Sequence, residues 1–450
     1  MALGFGKAAA RFCGDRRGNF AVMMGAVCSV LALSVGFGIN IAQLSHARSN
    51  LLNALDAAVT STARDITTGT IAEKDARASV ETFLLANGGT GFAAAKPITL
   101  DSLVVDRAAS TVRASASVDV DLAFPLFGME DTRRVSAESA AVYSDRKIEI
   151  AMMLDVTGSM AGQKLRDLKT AATNAVETLL AGQDASDPRV RIALVPYANA
   201  VNAGLLAEAT VFVERSAADR REAPGMYDPR TVSAGRPDNC ATERKGRYQY
   251  SDAGPDMAMV NRDLLLSAFA TNSRSRACPS TAVIPLSADA RKLTSAIGSF
   301  VAEGGTGGHM GIQWAWYMLS ENWGPVLHRS GRPMRADPKE VAKYAVLMTD
   351  GEFNLSFFDA DSVNEVYDAR GKGATRDAAR RLCQEMRDTG IEIFTIGFKL
   401  ENRAAKETMA DCASPDRGNV RHYFETSSGD ELNAAFMEIA RNIEQLALTR

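Results

Sequence analysis

The sequence predicts an α/β protein: a doubly wound, mostly parallel sheet with insertions, preceded by a transmembrane helix and a small α+β region. Two observations predict this architecture. Apolar segments alternate with helical segments from residue 147 onward, and residues 20–44 form a long uncharged, apolar run near the N-terminus. Strands of a parallel sheet covered on both faces are near-continuously apolar, and their alternation with helices favours the α/β class.

The chain of 450 residues is long enough for several domains, each with its own core. We expect four parts, namely a cytoplasmic N-terminus (1–19), an anchor helix (20–44), a periplasmic stalk helix with a small β unit (45–146) and a main domain (147–450). The main domain contains an insertion at about residues 203–286, which is rich in Arg, Asp, Pro and Gly.

The composition excludes some classes of function. Apolar residues make up 46% and charged residues 23%, as in ordinary globular proteins. The net charge of −3 provides no basic field for nucleic acid, so we expect no nucleic-acid partner. The six cysteines show no zinc-finger spacing. The four histidines are far apart in the sequence, which makes a histidine-based metal site or catalytic triad hard to build: His46, His309, His328 and His422.

The apolar run 20–44 has the length of a membrane span. At about 1.5 Å per residue it crosses the roughly 30 Å hydrocarbon core of a bilayer. Basic residues dominate the segment before it, with Lys7, Arg11, Arg16 and Arg17 against Asp15. The positive-inside rule therefore predicts a single-pass protein with its N-terminus in the cytoplasm and its bulk on the other side of the membrane. We expect this membrane to be the bacterial inner membrane and the outer compartment to be the periplasm. A buried core helix and a cleaved signal peptide are the alternatives, although the apolar region of a signal peptide usually has only about 7–15 residues.

The region after the anchor predicts helices followed by a small sheet. Apolar residues recur at helical spacing at Leu44, Leu51, Leu55 and Val59. The anchor helix is therefore expected to continue to about residue 64, with a second helix at about 72–85. Residues 111–124 alternate between apolar and polar, which predicts a half-buried antiparallel strand, with partners near 98–106 and 133–143. This layout resembles that of pilins; a simple membrane-proximal spacer is the alternative.

Roughly residues 16–66 resemble the N-terminal segment of the TadE/TadG-like proteins of Tad (Flp) pilus assembly. Prepilins carry a Glu five positions after the Gly at which they are cleaved. Here Met23 lies five positions after Gly18. This departure predicts that the chain is not processed as a pilus subunit.

Four apolar segments of the main domain are predicted strands: 148–154, 190–195, 344–348 and 391–396. A helix is expected at 165–180. The first strand runs into the sequence Asp155-Val156-Thr157-Gly158-Ser159, the third runs into Thr349-Asp350-Gly351, and a Gly-rich loop between them carries Thr306. Sites in such sheets form at the carboxyl ends of the strands.

Together these three segments resemble the metal-ion-dependent adhesion site (MIDAS) of von Willebrand factor A (vWA) domains, which have a Rossmann-like fold. The resemblance implies five ligands: Asp155, Thr157, Ser159, Thr306 and Asp350. Thr157 stands where the family has Ser, and it keeps the hydroxyl. Such oxygens suit a hard cation, Mg²⁺ or alternatively Mn²⁺ or Ca²⁺. Because only two ligands are carboxylates, the cation stays electrophilic, and an acidic side chain of a protein partner can complete its coordination. Taken singly, each segment is also explained as a helix cap or a turn.

Five further segments resemble the C-terminal half of TadG-like proteins: 239–244, 277–286, 311–320, 411–414 and 423–424. The resemblance implies a non-enzymatic role in pilus assembly, with Tad secretion or pilus components as partners. One alternative is a structural envelope protein or surface adhesin whose metal site only stabilises the fold. Another is a metal-dependent hydrolase, for which His309 is the only nearby candidate base.

The cysteines divide by compartment. Cys13 and Cys28 fall on the cytoplasmic side and within the membrane, whereas the other four fall in an oxidising compartment. Proximity in the sequence favours two disulfides, Cys240–Cys278 and Cys383–Cys412. Sequence alone does not fix connectivity, and free thiols are the alternative.

Overall fold

The computed structural model describes residues 17–67, 70–87, 97–106, 109–125, 131–143, 146–183, 187–231, 235–269 and 277–449. The chain divides into two compact units, with the boundary between residues 144 and 145 and with residues 68–70 grouped with the second unit. Cys13 and the first sixteen residues of the predicted cytoplasmic segment lie outside the described residues.

The described residues of unit 1 form two α-helices and a three-stranded antiparallel sheet in the order β1-β2-β3. Its elements are α1 (Arg17–Thr67), α2 (Ala76–Asn87), β1 (Thr99–Asp106), β2 (Thr111–Asp121) and β3 (Thr132–Val142). Leu51, Leu55 and Val59 of α1 are buried in one core with the apolar residues of β2, which confirms the predicted helical and alternating patterns. The N-terminal part of α1 is long and apolar enough to cross a membrane.

Unit 2 is built on an eight-stranded sheet. The eight strands are β4 (Lys147–Asp155), β5 (Val190–Tyr197), β6 (Val201–Asn202), β8 (Cys240–Ala241), β10 (Ile284–Ser287), β11 (Val341–Thr349), β12 (Glu392–Phe398) and β13 (Tyr423–Thr426). Two further strands, β7 (Val211–Val213) and β9 (Val260–Arg262), lie outside this sheet. Five parallel strands lie in the order β13-β12-β11-β4-β5, and β6, β8 and β10 extend the sheet antiparallel beyond them. The mostly parallel sheet is therefore as predicted.

Helices cover both faces of this sheet. They are α3 (Gln163–Leu180), α4 (Ala207–Thr210), α5 (Ala290–Gly298), α6 (Gly308–Tyr317), α7 (Val363–Tyr367), α8 (Ala369–Asp388), α9 (Arg403–Cys412) and α10 (Gly429–Thr449). One apolar core lies under α3, α5 and α10, and a second lies under α6, α8 and α9. Each strand in the middle of the sheet is buried on both sides and therefore has no polar face. For this reason the strands occur in the sequence as nearly continuous apolar runs.

The insertion contains more structure than its polar composition indicated. It contributes β8 to the main sheet, and β7 pairs with β9 in a separate parallel ladder. Its charged residues include buried ones: Arg244 lies with its guanidinium 4.9 Å from the ring centre of Tyr317, and the ammonium of Lys245 binds Glu214 at 2.8 Å and Asp263 at 2.5 Å. Some of the charged residues of the insertion therefore make internal contacts.

Both predicted disulfides are present. Cys240 of β8 is bonded to Cys278, and Cys383 of α8 is bonded to Cys412 of α9. Cys28 is a free, exposed cysteine in α1. The first disulfide ties two distant parts of the insertion together, and the second joins the two helices that pack beside each other on one face of the sheet.

Candidate metal centre

Asp155 is the last residue of β4, and its side chain is completely buried. Its Oδ1 accepts hydrogen bonds from the amide and the hydroxyl of Thr157, at 2.9 and 2.6 Å. Its Oδ2 accepts hydrogen bonds from the hydroxyls of Tyr197 and Thr349, each at 2.8 Å. The carboxylate is therefore fixed by its own loop on one side and by the ends of both neighbouring strands on the other.

Asp350 follows β11, the strand next to β4, and therefore reaches the same edge of the sheet. Its backbone nitrogen lies 3.4 Å from Oδ2 of Asp155. The hydroxyl of Ser159 donates to Oδ1 of Asp350 at 2.6 Å and lies 2.9 Å from the hydroxyl of Thr157. The structure thus brings four of the five predicted ligands into one hydrogen-bonded cluster.

Thr306 is the fifth predicted ligand. It belongs to a loop that contacts both the loop after Asp155 and the segment after Asp350. The carbonyl of Gly304 accepts a hydrogen bond from the amide of Gly158 at 2.9 Å, and a Cβ on Gly158 would lie only 3.2 Å from that oxygen. The amide of Thr306 donates to the side chain of Asn354 at 2.9 Å, and the amide of Asn354 donates back to the carbonyl of Thr306 at 3.0 Å. The backbone of Thr306 is fixed by these bonds, while no hydrogen bond from its hydroxyl is found within the described ranges.

The electrostatics of the cluster favour a cation. Burial, followed by the nearby charge of Asp350, raises the pKa of Asp155 to about 6. Burial and the charge of Asp155 also raise the pKa of Tyr197 well above its usual value. The ammonium of Lys164 lies 2.7 Å from Oδ2 of Asp350. A cation between the two carboxylates would stabilise the charged form of Asp155, which burial disfavours.

The chemistry of the donors fits a hard divalent ion. Mg²⁺ takes about six oxygens, and the cluster offers two carboxylates and neutral hydroxyls. Groups of three or more His, Cys, Asp or Glu side chains placed to hold a metal are not found in the part of the chain that the structure describes. A cation here would therefore depend on Thr157, Ser159 and Thr306 as much as on the two aspartates.

Sequence reasoning missed three residues of this cluster: Tyr197, Thr349 and Lys164. The first two are the last residues of β5 and β11, so their position at the carboxyl ends of strands flanking β4 was a usable signal. Lys164 is the second residue of α3, the helix that follows the Asp155 loop. Helical side chains incline toward the N-terminus, which brings the ammonium back to the strand ends.

His309, the candidate base of the hydrolase hypothesis, is buried inside the unit. Its Nδ1 lies 2.7 Å from the hydroxyl of Thr375, and its Nε2 lies 3.8 Å from a carboxylate oxygen of Glu243. Both neighbours belong to other parts of the fold, and neither is one of the five predicted ligands. The contacts of this histidine are those of a packed core residue.

Several solved structures are similar to the chain at low sequence identity. The vWF domain of the type V pili tip protein Mfa5 from Porphyromonas gingivalis is 14% identical, with 68% of this chain and 97% of that chain covered and a TM-score of 0.38. The pilus adhesin SpaC from Lactobacillus rhamnosus GG is 13% identical over 78% of this chain and 34% of its own length, with a TM-score of 0.36. Proximal thread matrix protein 1 from the mussel byssus, in a structure with a zinc-occupied MIDAS motif, is 13% identical over 67% of this chain and 46% of its own length, with a TM-score of 0.30. Neither a protein-family model nor a curated protein matches the sequence.

Proposed function

We propose that the chain is a membrane-anchored vWA protein that binds a protein partner through a divalent cation. The predicted ligands are Asp155, Thr157, Ser159, Thr306 and Asp350. The observation that carries the proposal is the meeting of Asp155 and Asp350, which are 195 positions apart in the chain, at one edge of the sheet. The hydroxyls of Thr157 and Ser159 lie in the same cluster.

The chemistry of recognition follows from the ligand set. A bound Mg²⁺, or Mn²⁺ or Ca²⁺, would supply an electrophilic position for a carboxylate oxygen of the partner. The chain's own residues hold that position in place: Asp155 is fixed by four hydrogen bonds from neighbouring groups. Because the remaining donors are neutral, the ligands add no negative charge beyond the two carboxylates that balance the cation, and a carboxylate of the partner is a suitable further ligand.

A binding role is favoured over catalysis by the surroundings of the cluster. Metal-dependent hydrolysis requires a base beside the metal-bound water. His309 is 1% exposed and is engaged with Thr375 and Glu243. We therefore expect no hydrolase activity from this chain.

The cellular setting that we propose is Tad (Flp) pilus assembly at the bacterial inner membrane. It is supported by the resemblance of residues 16–66 and of five C-terminal segments to TadG-like proteins. The exposed apolar part of α1 supports an anchor, and the two disulfides support an oxidising compartment such as the periplasm for unit 2. The basic residues before the helix favour a cytoplasmic N-terminus.

The test combines metal-dependent melting with partner capture. Full-length protein in detergent should melt at a higher temperature in Mg²⁺ than in EDTA, because a ligand that binds only the folded state stabilises it. Cross-linking from membranes should recover Tad components in Mg²⁺ and not in EDTA. Asp350→Asn should lose both effects, whereas Asp187→Asn, at an exposed site beside the start of β4, should keep them.

The outcomes separate the alternatives. A Mg²⁺-dependent melting shift without metal-dependent capture would indicate a site that only stabilises the fold, as in a structural envelope protein or an adhesin with another partner. Equal behaviour of Asp350→Asn and the wild type in both assays would refute the proposal.

A further inference from the structure

One face of α1 changes from exposed to packed partway along the helix, while side chains on its other face, such as Phe37 and Ile41, stay exposed. Every residue from 22 to 35 is exposed, and the apolar side chains among them include Val30 at 62% and Val35 at 60%. Gly36 is the first buried residue, and Asn40 is the next. The helix therefore begins to contact the rest of unit 1 at Gly36.

The group that packs there is the tip of the sheet, where the chain leaves β2. A Cβ on Gly36 would lie 3.3 Å from the Cβ of Phe124, so glycine allows this close approach. The side-chain amide of Asn40 donates to the carbonyl of Phe124 at 2.7 Å, and its oxygen accepts from the amide of Phe124 at 3.1 Å. Asn40 thus pairs with Phe124 as a neighbouring strand would.

Gln43 repeats this pairing one turn further along the helix. Its amide donates to the carbonyl of Asp121 at 2.8 Å, and its oxygen accepts from the amide of Ala123 at 3.1 Å. Two amide side chains near the end of the apolar run are therefore both used to satisfy the backbone of residues 121–124. Groups of this kind need partners wherever water is excluded.

The depth of this contact follows from the helix rise. Arg17 is the last basic residue before the apolar run, which begins at Phe20. Counting from Phe20 at roughly 1.5 Å per residue, the helix reaches Asn40 after about 30 Å. That length equals the thickness of the hydrocarbon core, about 30 Å. Asn40 then lies where the hydrocarbon ends, and Gly36 lies one turn deeper.

We propose that the tip of the sheet, residues 123–125, rests in the outer interfacial layer of the bilayer and contacts lipid through Phe124. This inference rests on the membrane anchoring that is part of the proposed function. The ring of Phe124 packs on Gly36, yet the residue is 49% exposed, and lipid would cover that exposed part. Aromatic side chains at this level are typical of membrane proteins.

Two consequences follow for unit 1. The hydrocarbon span ends near Asn40, and one face of the helix beyond it packs into the core of the unit, since Leu44 is half-buried against that core and Ala47 and Leu51 are buried in it. Unit 1 is therefore seated directly on the lipid surface, with its sheet tip as the contact.

The experiment uses the full-length protein in vesicles of phosphatidylcholine and phosphatidylglycerol that contain brominated lipid. The native tryptophans are Trp314, Trp316 and Trp323, all buried in unit 2, so the fluorescence added by a new tryptophan is measured against the wild type. Phe124→Trp should lose most of its added fluorescence when bromine is near the glycerol end of the acyl chain, and less when bromine is near the methyl end. Ala123→Trp, at a neighbouring exposed position, is a second variant in case the first disturbs the packing on Gly36.

Two controls bracket the result. Val142→Trp lies at the opposite end of the sheet, because Thr111 pairs with Val142 whereas Asp121 pairs with Thr132, and it should not be quenched. Val30→Trp lies in the exposed part of α1 and should be quenched most by the deep bromine. The inference would be overturned if Phe124→Trp and Ala123→Trp were both quenched no more than Val142→Trp. If Val30→Trp is also unquenched, the membrane anchoring in the proposed function is wrong as well. A melting temperature that still rises with Mg²⁺ would continue to support the metal centre.

Discussion

The ammonium of Lys164 lies 2.7 Å from Oδ2 of Asp350, inside the cluster that we propose as a cation site. Lys164 is 27% exposed at its side chain, whereas the side chain of Asp350 is fully buried. The lysine therefore stands between the buried carboxylate and solvent. A positive charge in that place balances the charge of Asp350 when no metal is bound and opposes the entry of a second cation.

Replacing this lysine should strengthen metal binding. Lys164→Met keeps the length of the side chain and removes its charge, so we expect the Kd for Mg²⁺ to fall about tenfold, or about 1.4 kcal/mol. Isothermal titration calorimetry of the full-length protein measures this change. Lys164→Arg, which keeps the charge, is the matched control and should bind Mg²⁺ as the wild type does. Weaker binding by the Met variant would show that the lysine supports the site rather than competing with the metal.

Thr306 should matter for the metal and not for the fold. Its backbone is held by Asn354, while its hydroxyl makes no hydrogen bond found among the described residues. We expect Thr306→Val to melt like the wild type in EDTA and to lose the rise in Tm that Mg²⁺ causes. Thermal melting with and without the ion measures both effects.

Thr349→Val provides the contrast. The hydroxyl of Thr349 donates to Asp155 at 2.8 Å, so its loss leaves a buried carboxylate oxygen with one partner fewer. We expect a lower Tm already in EDTA, from a loss of about 1–3 kcal/mol. If the two valine variants behave alike in EDTA, the assigned difference between these two hydroxyls is wrong.

The buried charges of the insertion should make stability depend on pH. Burial, together with the charge of Asp263, raises the pKa of Glu214 from 4.5 to about 7, although Lys245 acts in the opposite direction. The folded state therefore holds a proton that the unfolded state has already released between these pH values. The resulting stabilisation is complete below pH 4.5 and is lost as the pH rises through about 7.

This pH effect is measured as the difference between two variants. Chemical denaturation in EDTA between pH 5 and pH 8, values that bracket the raised pKa, should show a decline for the wild type that is smaller in Glu214→Gln, which cannot titrate. The decline that remains comes from Asp155, whose pKa is also raised, to about 6. Glu208→Gln, at an exposed position of the same insertion, should follow the wild type. An unchanged slope in Glu214→Gln would mean that another group carries the pH dependence.

Loss of the disulfide between α8 and α9 should weaken unit 2. The bonded residues Cys383 and Cys412 are 29 positions apart, and closing a loop of that size restricts the unfolded chain by about 3–4 kcal/mol. We expect the double variant Cys383→Ala/Cys412→Ala to lose stability of this order in chemical denaturation. Cys28→Ser, which removes a free thiol from α1, should leave unit 2 unchanged. A native mass that shows four free thiols in place of the two disulfides would contradict the pairing.

The sequence predicted the parts of the fold in which one residue pattern has one structural meaning. The strand that ends at Asp155 is mostly apolar because helices cover both of its faces, with Glu149 as a buried exception, and the observed strand differs from the expected one by one residue at each end. Asp155 and Asp350 could be placed together because parallel strands bring their carboxyl ends to one edge.

The parts that were not predicted depend on contacts between distant residues. Lys245 looks like a surface residue in the sequence, and only the carboxylates of Glu214 and Asp263 make its burial tolerable. Likewise, Asn40 and Gln43 are minor interruptions of an apolar run until the backbone of residues 121–124 is placed against them. A pattern along the chain does not reveal a partner that is supplied from another element.

The place of β4 in the sheet bears on how the protein is made. This strand lies between β5 and β11, and Val341 of β11 follows Tyr197 of β5 by 144 residues. A chain emerging from its N-terminus therefore completes one side of β4 long before the other. During that interval an apolar strand has an open edge, which is a template for pairing with other chains. Fragments that stop before Val341 are therefore expected to aggregate, and productive biogenesis would require that the nascent edge be shielded until the second neighbour arrives.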